Sequence, residues 1–598
     1  MCAKYRDLQA YPLAKLPRSK LPVALDTETL GETRETNIPI YFSYDSDDLI
    51  SGAGPTTTTK GDQFLTALAE CETRPKIFHN AKFDIWVLNK IDIEVKGEIE
   101  DTILMHCLLD EHHLGHHKLK ILSRELLKRP RLDELVLKQE QRKVQFNNEL
   151  PQQVLHDYAK PDAEDTMALY RLFKPQLIAQ NLWSCYRLTV AAELVYLKMY
   201  LRGVALDLVS LDKALTAIDN ALAILDEKVY EALGERFKIS SPKQLGNVLA
   251  KHFTLHVRTI TGWSTDKDAL EPFRSDSKMQ VVLAWKFLTK ARQYLRGYKK
   301  RAKNGRLYSN YRQTTVTGRS ASSDPNLENI PKQRGRVSEV EVGNVELADL
   351  CSEAFRQVRA AIIPSPGALL LAKDYKQVEY RCFAYYSQSE RLINALASGV
   401  DFHTFVCKQV FGEETPQLRY ITKILSFGLL YGMGKPLLIT RIKMYHEHPY
   451  DVLDLYERLF PEMRETQKRM KMIGAQKGYI MDPWGRRYRF QYDRPHAIVA
   501  WVCQGTGTGS LKKAAMVKVD PILEGRRSGM VFEVHDELVF EIFPEDADLT
   551  LDIHHAMEDF HQLGRIPIIA DTAIGPNFLD LKDVTAEEGV KMLKQNLN

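Results

Sequence analysis

Apolar positions along the chain switch between two periods. Residues 21–26 (LPVALD) form a short apolar run followed by Thr27-Glu28-Thr29, which predicts a buried strand ending in polar residues. Segments 36–44 and 74–79 also carry strand patterning, whereas 81–90 and 150–174 repeat at helical spacing. Pro55-Thr56-Thr57-Thr58-Thr59 predicts a loop. The first part of the chain, to about residue 180, therefore predicts a compact α/β domain. From about 186 to 300 the pattern is helical and turns basic toward its end. Strands return at 367–373 and 529–543, with a largely helical stretch, 402–476, between them. The order is an α/β domain, a helical arm, and a mixed domain interrupted by a helical insertion, without internal repeats.

Length agrees with several domains: 598 residues at roughly 150 per domain give about four units. The composition, 44% hydrophobic and 27% charged, is ordinary for a globular protein. No run approaches the ~20 apolar residues of a membrane span. The N-terminus, MCAKYRDLQAYPLAKLPRSK, lacks the apolar centre of a secretory signal. The eight cysteines are scattered without a CxxC pair, which points away from zinc or disulfides and toward a cytoplasmic setting. The stretch Glu111-His112-His113-Leu114-Gly115-His116-His117 has no accompanying carboxylate or cysteine pattern and reads as a polar loop rather than a metal site. A net charge of +4 does not announce nucleic acid. The clusters Lys299-Lys300-Arg301-Ala302-Lys303 and Arg486-Arg487-Tyr488-Arg489 can contact phosphates, although each alone reads as solvated surface.

Asp26 and Glu28 stand two apart on a strand, so both side chains point to one face. Like charges so placed repel, and a divalent cation is the usual agent that offsets this. Asn80-Ala81-Lys82-Phe83-Asp84 and Tyr158-Ala159-Lys160-Pro161-Asp162 follow. If Asp84 and Asp162 converge on the first pair, four carboxylates could hold two metal ions about 3.5–4 Å apart for phosphodiester cleavage. The tripeptide alone suits a turn equally well. The ordered set DxE, NxxxD, YxxxD resembles the DnaQ-like 3′→5′ exonucleases of RNase H-like fold. That resemblance implies metal binding by Asp26, Glu28, Asp84 and Asp162, and a water-positioning role for Tyr158. Asp165 competes for the last ligand; the spacing favours Asp162.

Four segments of the C-terminal half carry further chemistry. Leu369-Leu370-Leu371-Ala372-Lys373-Asp374-Tyr375 delivers an aspartate at a strand end, and Met530 to Phe540 reads as a hairpin with Asp536 at its tip. Two aspartates from neighbouring strand ends could form a two-metal site for phosphoryl transfer. Arg419, Lys423, Phe427 and Tyr431 recur in steps of four, so on a helix they share one broad stripe. That stripe suits a nucleoside triphosphate, or else an amphipathic helix that buries its aromatics. Thr317 to Pro331 (TGRSASSDPNLENIP) is polar and turn-rich, a solvated loop or a contact to duplex backbone and minor groove.

Together these segments resemble family A DNA polymerases. DYKQVEYR is similar to that family's motif A, RYITKILSFGLLYG to motif B, and EVHDE to motif C; Ser241-Pro242-Lys243-Gln244-Leu245 and Thr261-Gly262-Trp263-Ser264-Thr265 are similar to thumb motifs. The resemblance spans about 21 to 580. It implies an exonuclease domain at 1–180, a thumb at 181–310, a palm at 311–400 and 481–598, and fingers at 401–480. The expected fold is thus a multidomain α/β and α+β chain, an RNase H-like exonuclease plus a right-hand polymerase.

The resemblance also implies roles. Asp374 and Asp536 would carry the catalytic metals, two Mg²⁺ per active site with Mn²⁺ as a substitute. Arg419, Lys423 and His403 would contact the triphosphate, Lys423 doubling as general acid. Phe427 would pack on the incoming nucleotide, and Tyr431 with Glu379 would close the space near C2′. Arg319 and Gln504 would read minor-groove acceptors, with Asn326 in the DNA-contacting loop and His535 at the primer terminus. The expected partners are a DNA primer–template, dNTPs and replication accessory proteins, for a monomer without membrane attachment in a bacterial or phage-infected cytoplasm. Small size and the absence of a 5′-nuclease segment lean toward a phage replicase by analogy. His496, Ala500, Lys376 and Ser320-Ala321 depart from the family pattern, without touching an expected metal ligand. The rivals are a stand-alone 3′→5′ exonuclease whose C-terminal half only grips DNA, a non-catalytic scaffold, and a single-subunit RNA polymerase. The intact carboxylates disfavour the first two, Glu379 and the exonuclease set the third.

Overall fold

A computed structural model describes residues 19–30, 37–113, 115–129, 152–260, 262–330 and 345–595. Leu114, Thr261 and Pro331, named above, lie outside them. The chain forms two compact units: Met1–Leu201 with Arg312–Ala321 and Met472–Val517, and Arg202–Tyr311 with Ser322–Lys471 and Lys518–Asn598.

The first unit is built on β1 (Val23–Leu30), β2 (Ile38–Ser46), β3 (Leu49–Pro55), β4 (Lys76–Phe78) and β5 (Ile99–Asp101), in the order β3-β2-β1-β4-β5. β1 is antiparallel to β2 and parallel to β4. Val23, Ala24, Leu25, Phe42, Ile77 and Phe78 fill its core together with Phe64 and Leu65 of α1 (Thr59–Ala69). As expected, β1 runs from apolar into polar residues, which keep pairing with β2, Asp26 with Ser43 and Glu28 with Tyr41. β3 was not foreseen: Gly52 and Gly54 break its apolar alternation, yet its backbone pairs with β2. Around the sheet lie α2 (Ala81–Asn89), α3 (Thr102–Leu109), α4 (Leu119–Leu126), α5 (Gln152–Ala179) and α6 (Trp183–Arg202).

The basic and histidine-rich clusters of this unit are not solvated surface. Arg486 is buried, and Arg487 donates to the Gln180 carbonyl and lies over the Tyr479 ring. Arg489 pairs with buried Glu111, whose carboxylate also accepts from the Arg489 amide at 2.6 Å. The 111–117 stretch is therefore partly internal: Glu111 and His117 are buried, and the His117 ring bonds His106 at 2.8 Å between Nδ1 atoms. Burial lowers the imidazoles of His106 and His117 to about 4, so both are neutral at ordinary pH.

The second unit contains an antiparallel sheet of β6 (Leu369–Tyr375), β7 (Gly529–Val534), β8 (Glu537–Ile542), β9 (Ala570–Gly575) and β10 (Lys582–Val584), in the order β7-β8-β6-β9-β10. Every residue of β7 and β8 is buried, which explains their near-continuous apolar run. The helical arm includes α7 (Leu208–Leu233) and α8 (Ser277–Arg301), capped by Asp207 and Asp276. The two are pinned by Trp285 Nε1 on Asp226 at 2.5 Å and by Arg292 and Arg296 on Asp219. Lys299 pairs with Asp212 and Arg301 with Asp324, so part of that basic cluster is spent on the protein itself. Among the described residues, no helix is long and apolar enough to cross a membrane.

Candidate functional site

In the first unit, β1 presents Asp26 and Glu28 on one face, and α5 brings Asp162 to them. Ligand oxygens of these three lie within 4.8 Å of one another. Burial, then Asp162, Glu28 and Asp84, push the Asp26 carboxyl well above its usual range, while Lys120 opposes them. Asp84, in the first turn of α2, accepts from the Thr27 amide at 3.1 Å and the Thr27 hydroxyl at 2.7 Å. Burial nevertheless raises it to about 7. Asp165 points elsewhere, to the Ser123 hydroxyl and to Arg129 at 2.6 Å. Crowded carboxylates with strained ionisation form a donor set that fits a hard divalent cation.

Tyr158, one turn before Asp162, accepts a hydrogen bond from Lys120 Nζ at 2.9 Å, and the ammonium lies 4.4 Å from the ring centre. Sequence reasoning missed Lys120. No motif contains it; it reaches the site from α4 through folding alone.

In the second unit, Asp374 stands opposite Glu537 on β8 and Asp571 on β9. The Tyr375 amide donates to the Asp536 carbonyl at 3.3 Å, so the strand end carrying Asp374 adjoins the hairpin tip. His535 takes a left-handed backbone (φ 56) that closes this tip, and its side chain is exposed. A cavity of about 500 Å³ is lined by Asp374, Glu537, Asp571 and Asp583. Glu537 and Asp571 were not singled out from sequence, since register, not spacing, aligns them with Asp374.

From this strand end a chain of contacts leads to the cationic helix. Gln377 donates to Asp401 at 2.7 Å, and Asp401 accepts from Arg419 at 2.9 Å. Burial works against an ionised Asp401, but the Thr404 amide and Arg419 outweigh it and hold the carboxyl below its ordinary value. Arg419, Lys423, Phe427 and the capping Tyr431 sit half-buried along α11 (Pro416–Leu430), with α9 (Val378–Ser387) and α10 (Phe402–Phe411) beside it. The stripe that faces the interior is a different one: Ile421, Leu425, Leu429 and Leu430. The cations and rings thus lie off the fully buried stripe of this helix. Burial, then Arg419, lowers Lys423. His403, on α10, packs its ring 5.2 Å from Phe427, and burial lowers it to about 4. Tyr380 closes the cluster, 5.1 Å from Phe427.

The remaining expected contact residues divide between the units. In the first, Arg319 Nε donates to the Thr508 hydroxyl at 2.5 Å, and that hydroxyl donates to the Gln504 carbonyl at 2.9 Å, which brings Arg319 and Gln504 together. In the second, Asn326 Oδ1 accepts from the Ser322 hydroxyl and the Asn329 amide, so its oxygen serves the turn of its own loop.

Comparison with known proteins finds relatives for both parts of the chain. A family model described as 3′-5′ exonuclease matches residues 5–178. DNA polymerase I of Rhizobium leguminosarum is 30% identical over 521 residues, which cover 82% of this chain and 49% of that protein. DNA polymerase I of Synechocystis is 28% identical over 553 residues, covering 85% and 53%. The chain thus spans about half the length of these relatives. Among solved structures, the POL domain of Pol1 from M. smegmatis, in complex with DNA primer-template and dNTP, matches 95% of this chain and 97% of its own with a TM-score of 0.80 at 24% identity. The model described as DNA polymerase family A matches residues 209–580, more than half of the 598 and all of the Asp374–Asp536 site, and the chain therefore belongs to DNA polymerase family A.

Proposed function

We propose that this protein extends a DNA primer by template-directed nucleotidyl transfer from dNTPs, and that a separate site removes 3′-terminal nucleotides, which gives proofreading. The observation that carries the reading is the backbone bond from Tyr375 to Asp536, which sets the strand end carrying Asp374 beside the hairpin tip carrying Asp536, at one end of the sheet. Their partners would be a DNA primer–template, dNTPs and replication accessory proteins. The assignment of residues 1–180 to an exonuclease, 181–310 to a thumb, 311–400 with 481–598 to a palm and 401–480 to fingers is part of the proposal.

Family A polymerases and their exonucleases use divalent metals, and both carboxylate sets suit them; we assign Mg²⁺, two per site, with Mn²⁺ as a substitute. Asp374 and Asp536 would hold them in one site, and Asp26, Glu28, Asp84 and Asp162 in the other. Bound ions supply the activation of the attacking oxygen and the stabilisation of the departing one.

The protein's own groups do the rest. Arg419, fixed by Asp401, and Lys423 meet the triphosphate charge. Lys423, with its depressed affinity for its proton, is suited to protonate departing pyrophosphate. His403 is neutral and offers a hydrogen bond rather than a charge. Phe427 stacks on the nucleotide, and Glu379 with Tyr431 restricts the sugar. Arg319 and Gln504 contact the minor groove, with Asn326 and His535 on the backbone and primer end. In the other site, Tyr158 orients the attacking water.

A primer–template assay with and without dNTPs tests both activities at once. Asp536→Ala should lower extension about 10³-fold or more, the several kcal/mol of a lost metal ligand, and keep digestion. Asp26→Ala with Glu28→Ala should do the reverse. Full extension by Asp536→Ala would overturn the assignment and favour the stand-alone exonuclease.

A further inference from the structure

We infer that the turn after α3 and the end of α4 form a transition-metal site of the zinc class, made by His113, His116 and Glu125 and separate from the carboxylate sites. Ligand atoms of these three side chains lie within 4.8 Å of one another. Gly115, at φ +80, lets the chain reverse between the two histidines, and the His116 amide bonds back to the His113 carbonyl at 3.1 Å. This turn sets the two rings nearly perpendicular, with centres 4.9 Å apart. Glu125 comes to them from α4, out of reach of any local sequence pattern.

Distances favour a metal over a hydrogen bond. His113 Nε2 lies 3.2 Å from Glu125 Oε2. Yet it is buried and makes no aligned hydrogen bond. With bonds of about 2.0–2.1 Å, two ligands of a tetrahedral zinc stand about 3.3 Å apart. The pair is thus spaced as one edge of such a tetrahedron, and His116 needs only a small closure to supply a third corner, with water at the fourth. On the far side of the ring, Asp110 Oδ2 lies 3.5 Å from His113 Nδ1. A carboxylate there fixes the tautomer that leaves Nε2 free to bind metal. Two imidazoles and one carboxylate favour Zn²⁺ over Mg²⁺.

The site would act as a staple. It ties His113 and His116 to α4, the helix whose Lys120 touches Tyr158 and whose Ser123 bonds Asp165. Just before the turn, Glu111 grips Arg489.

The test titrates Zn²⁺ into metal-free full-length protein carrying Asp26→Ala and Glu28→Ala, in excess Mg²⁺, against a chromophoric chelator. The substitutions remove the other cluster of candidate cation ligands found among the described residues. One equivalent of Zn²⁺ should bind. Adding His113→Ala or Glu125→Gln should abolish stoichiometric binding, and Asp110→Asn should weaken it about 10–100-fold. Primer extension by His113→Ala and Glu125→Gln should remain at the unsubstituted level, which shows that they fold; Glu125→Gln, on a partly exposed helix face, decides alone if His113→Ala does not. No binding, or one equivalent that survives Glu125→Gln, would overturn the site.

Discussion

The Tyr431 hydroxyl donates to Glu379 Oε2 at 2.5 Å, joining the end of α11 to the first turn of α9 across 52 residues of sequence. Phe427 stacks on the Tyr431 ring at 5.7 Å. The carboxylate is thus held in one place beside the half-buried stripe of Lys423 and Phe427. Glu379→Ala should open that space: ribonucleotide insertion relative to deoxynucleotide should rise about 10–200-fold, the range for a pocket that loses a small group. Tyr431→Phe keeps the ring and loses only the bond, so its effect should be smaller. Single-nucleotide insertion with paired ribo- and deoxynucleotides measures both; unchanged discrimination in Glu379→Ala would remove it from sugar selection.

Gly509 lies in the π-helical turn Gly505–Leu511, where the chain passes against the segment that carries Arg319. A Cβ there would meet the Thr317 carbonyl oxygen at 2.6 Å and the Gly318 carbonyl carbon at 3.2 Å, both backbone atoms that cannot swing away. Gly509→Ala should cost about 1–3 kcal/mol of stability. It should also displace Arg319, lowering extension from correctly paired termini more than it lowers primer degradation. Thermal unfolding together with the two activity assays checks this; wild-type stability would mean that the two segments are not held as closely as described.

How much of this could be read from the chain depended on whether the determinant was local. The β7–β8 hairpin, the strand ending at Asp374 and the stripe from Arg419 to Tyr431 each follow from a period within a few residues. β3 was lost because Gly52 and Gly54 erase the alternation that defines it. The grip of Gln377 on Asp401 and of Asp401 on Arg419, the alignment of Asp571 with Asp374, and the arrival of Lys120 at Tyr158 are products of register and packing. Arg486 to Arg489 misled for a related reason: charge suggests solvent, but here buried Glu111 and backbone carbonyls supply the partners.

Asp84 gives a pH test. Its unfolded value is near 4, and burial raises the folded one to about 7. Between those values the folded chain holds a proton that the unfolded chain has released. Stability of the metal-free protein therefore falls as pH rises through that window and levels off above about 7. Asp84→Asn keeps an acceptor for Thr27 but carries no such charge. Its stability relative to wild type should grow from near zero at pH 4 by a few kcal/mol at pH 7.5, and saturating Mg²⁺ should shrink the gap. Calorimetric unfolding of both proteins in chelator, then with Mg²⁺, provides the comparison; a gap that is flat with pH would rule out this origin.

Lys120 should matter to digestion and not to synthesis. Its ammonium donates to the Tyr158 oxygen and so holds the phenol in place beside the carboxylate site. It also works against the burial and like charge that raise Asp26. Lys120→Met keeps the apolar stem and removes both effects. Tyr158 loses its orientation, and misplacement on this scale costs about 10²-fold in rate. Asp26 holds its proton to a higher pH without the nearby cation, so the acid limb of the digestion profile should move to higher pH. Lys120→Arg restores a donor and a charge and should recover part of the rate and most of the limb. A purely structural role would instead lower activity at every pH alike and leave the limb in place, so the profile of primer degradation across pH, with extension as the internal control, separates the two.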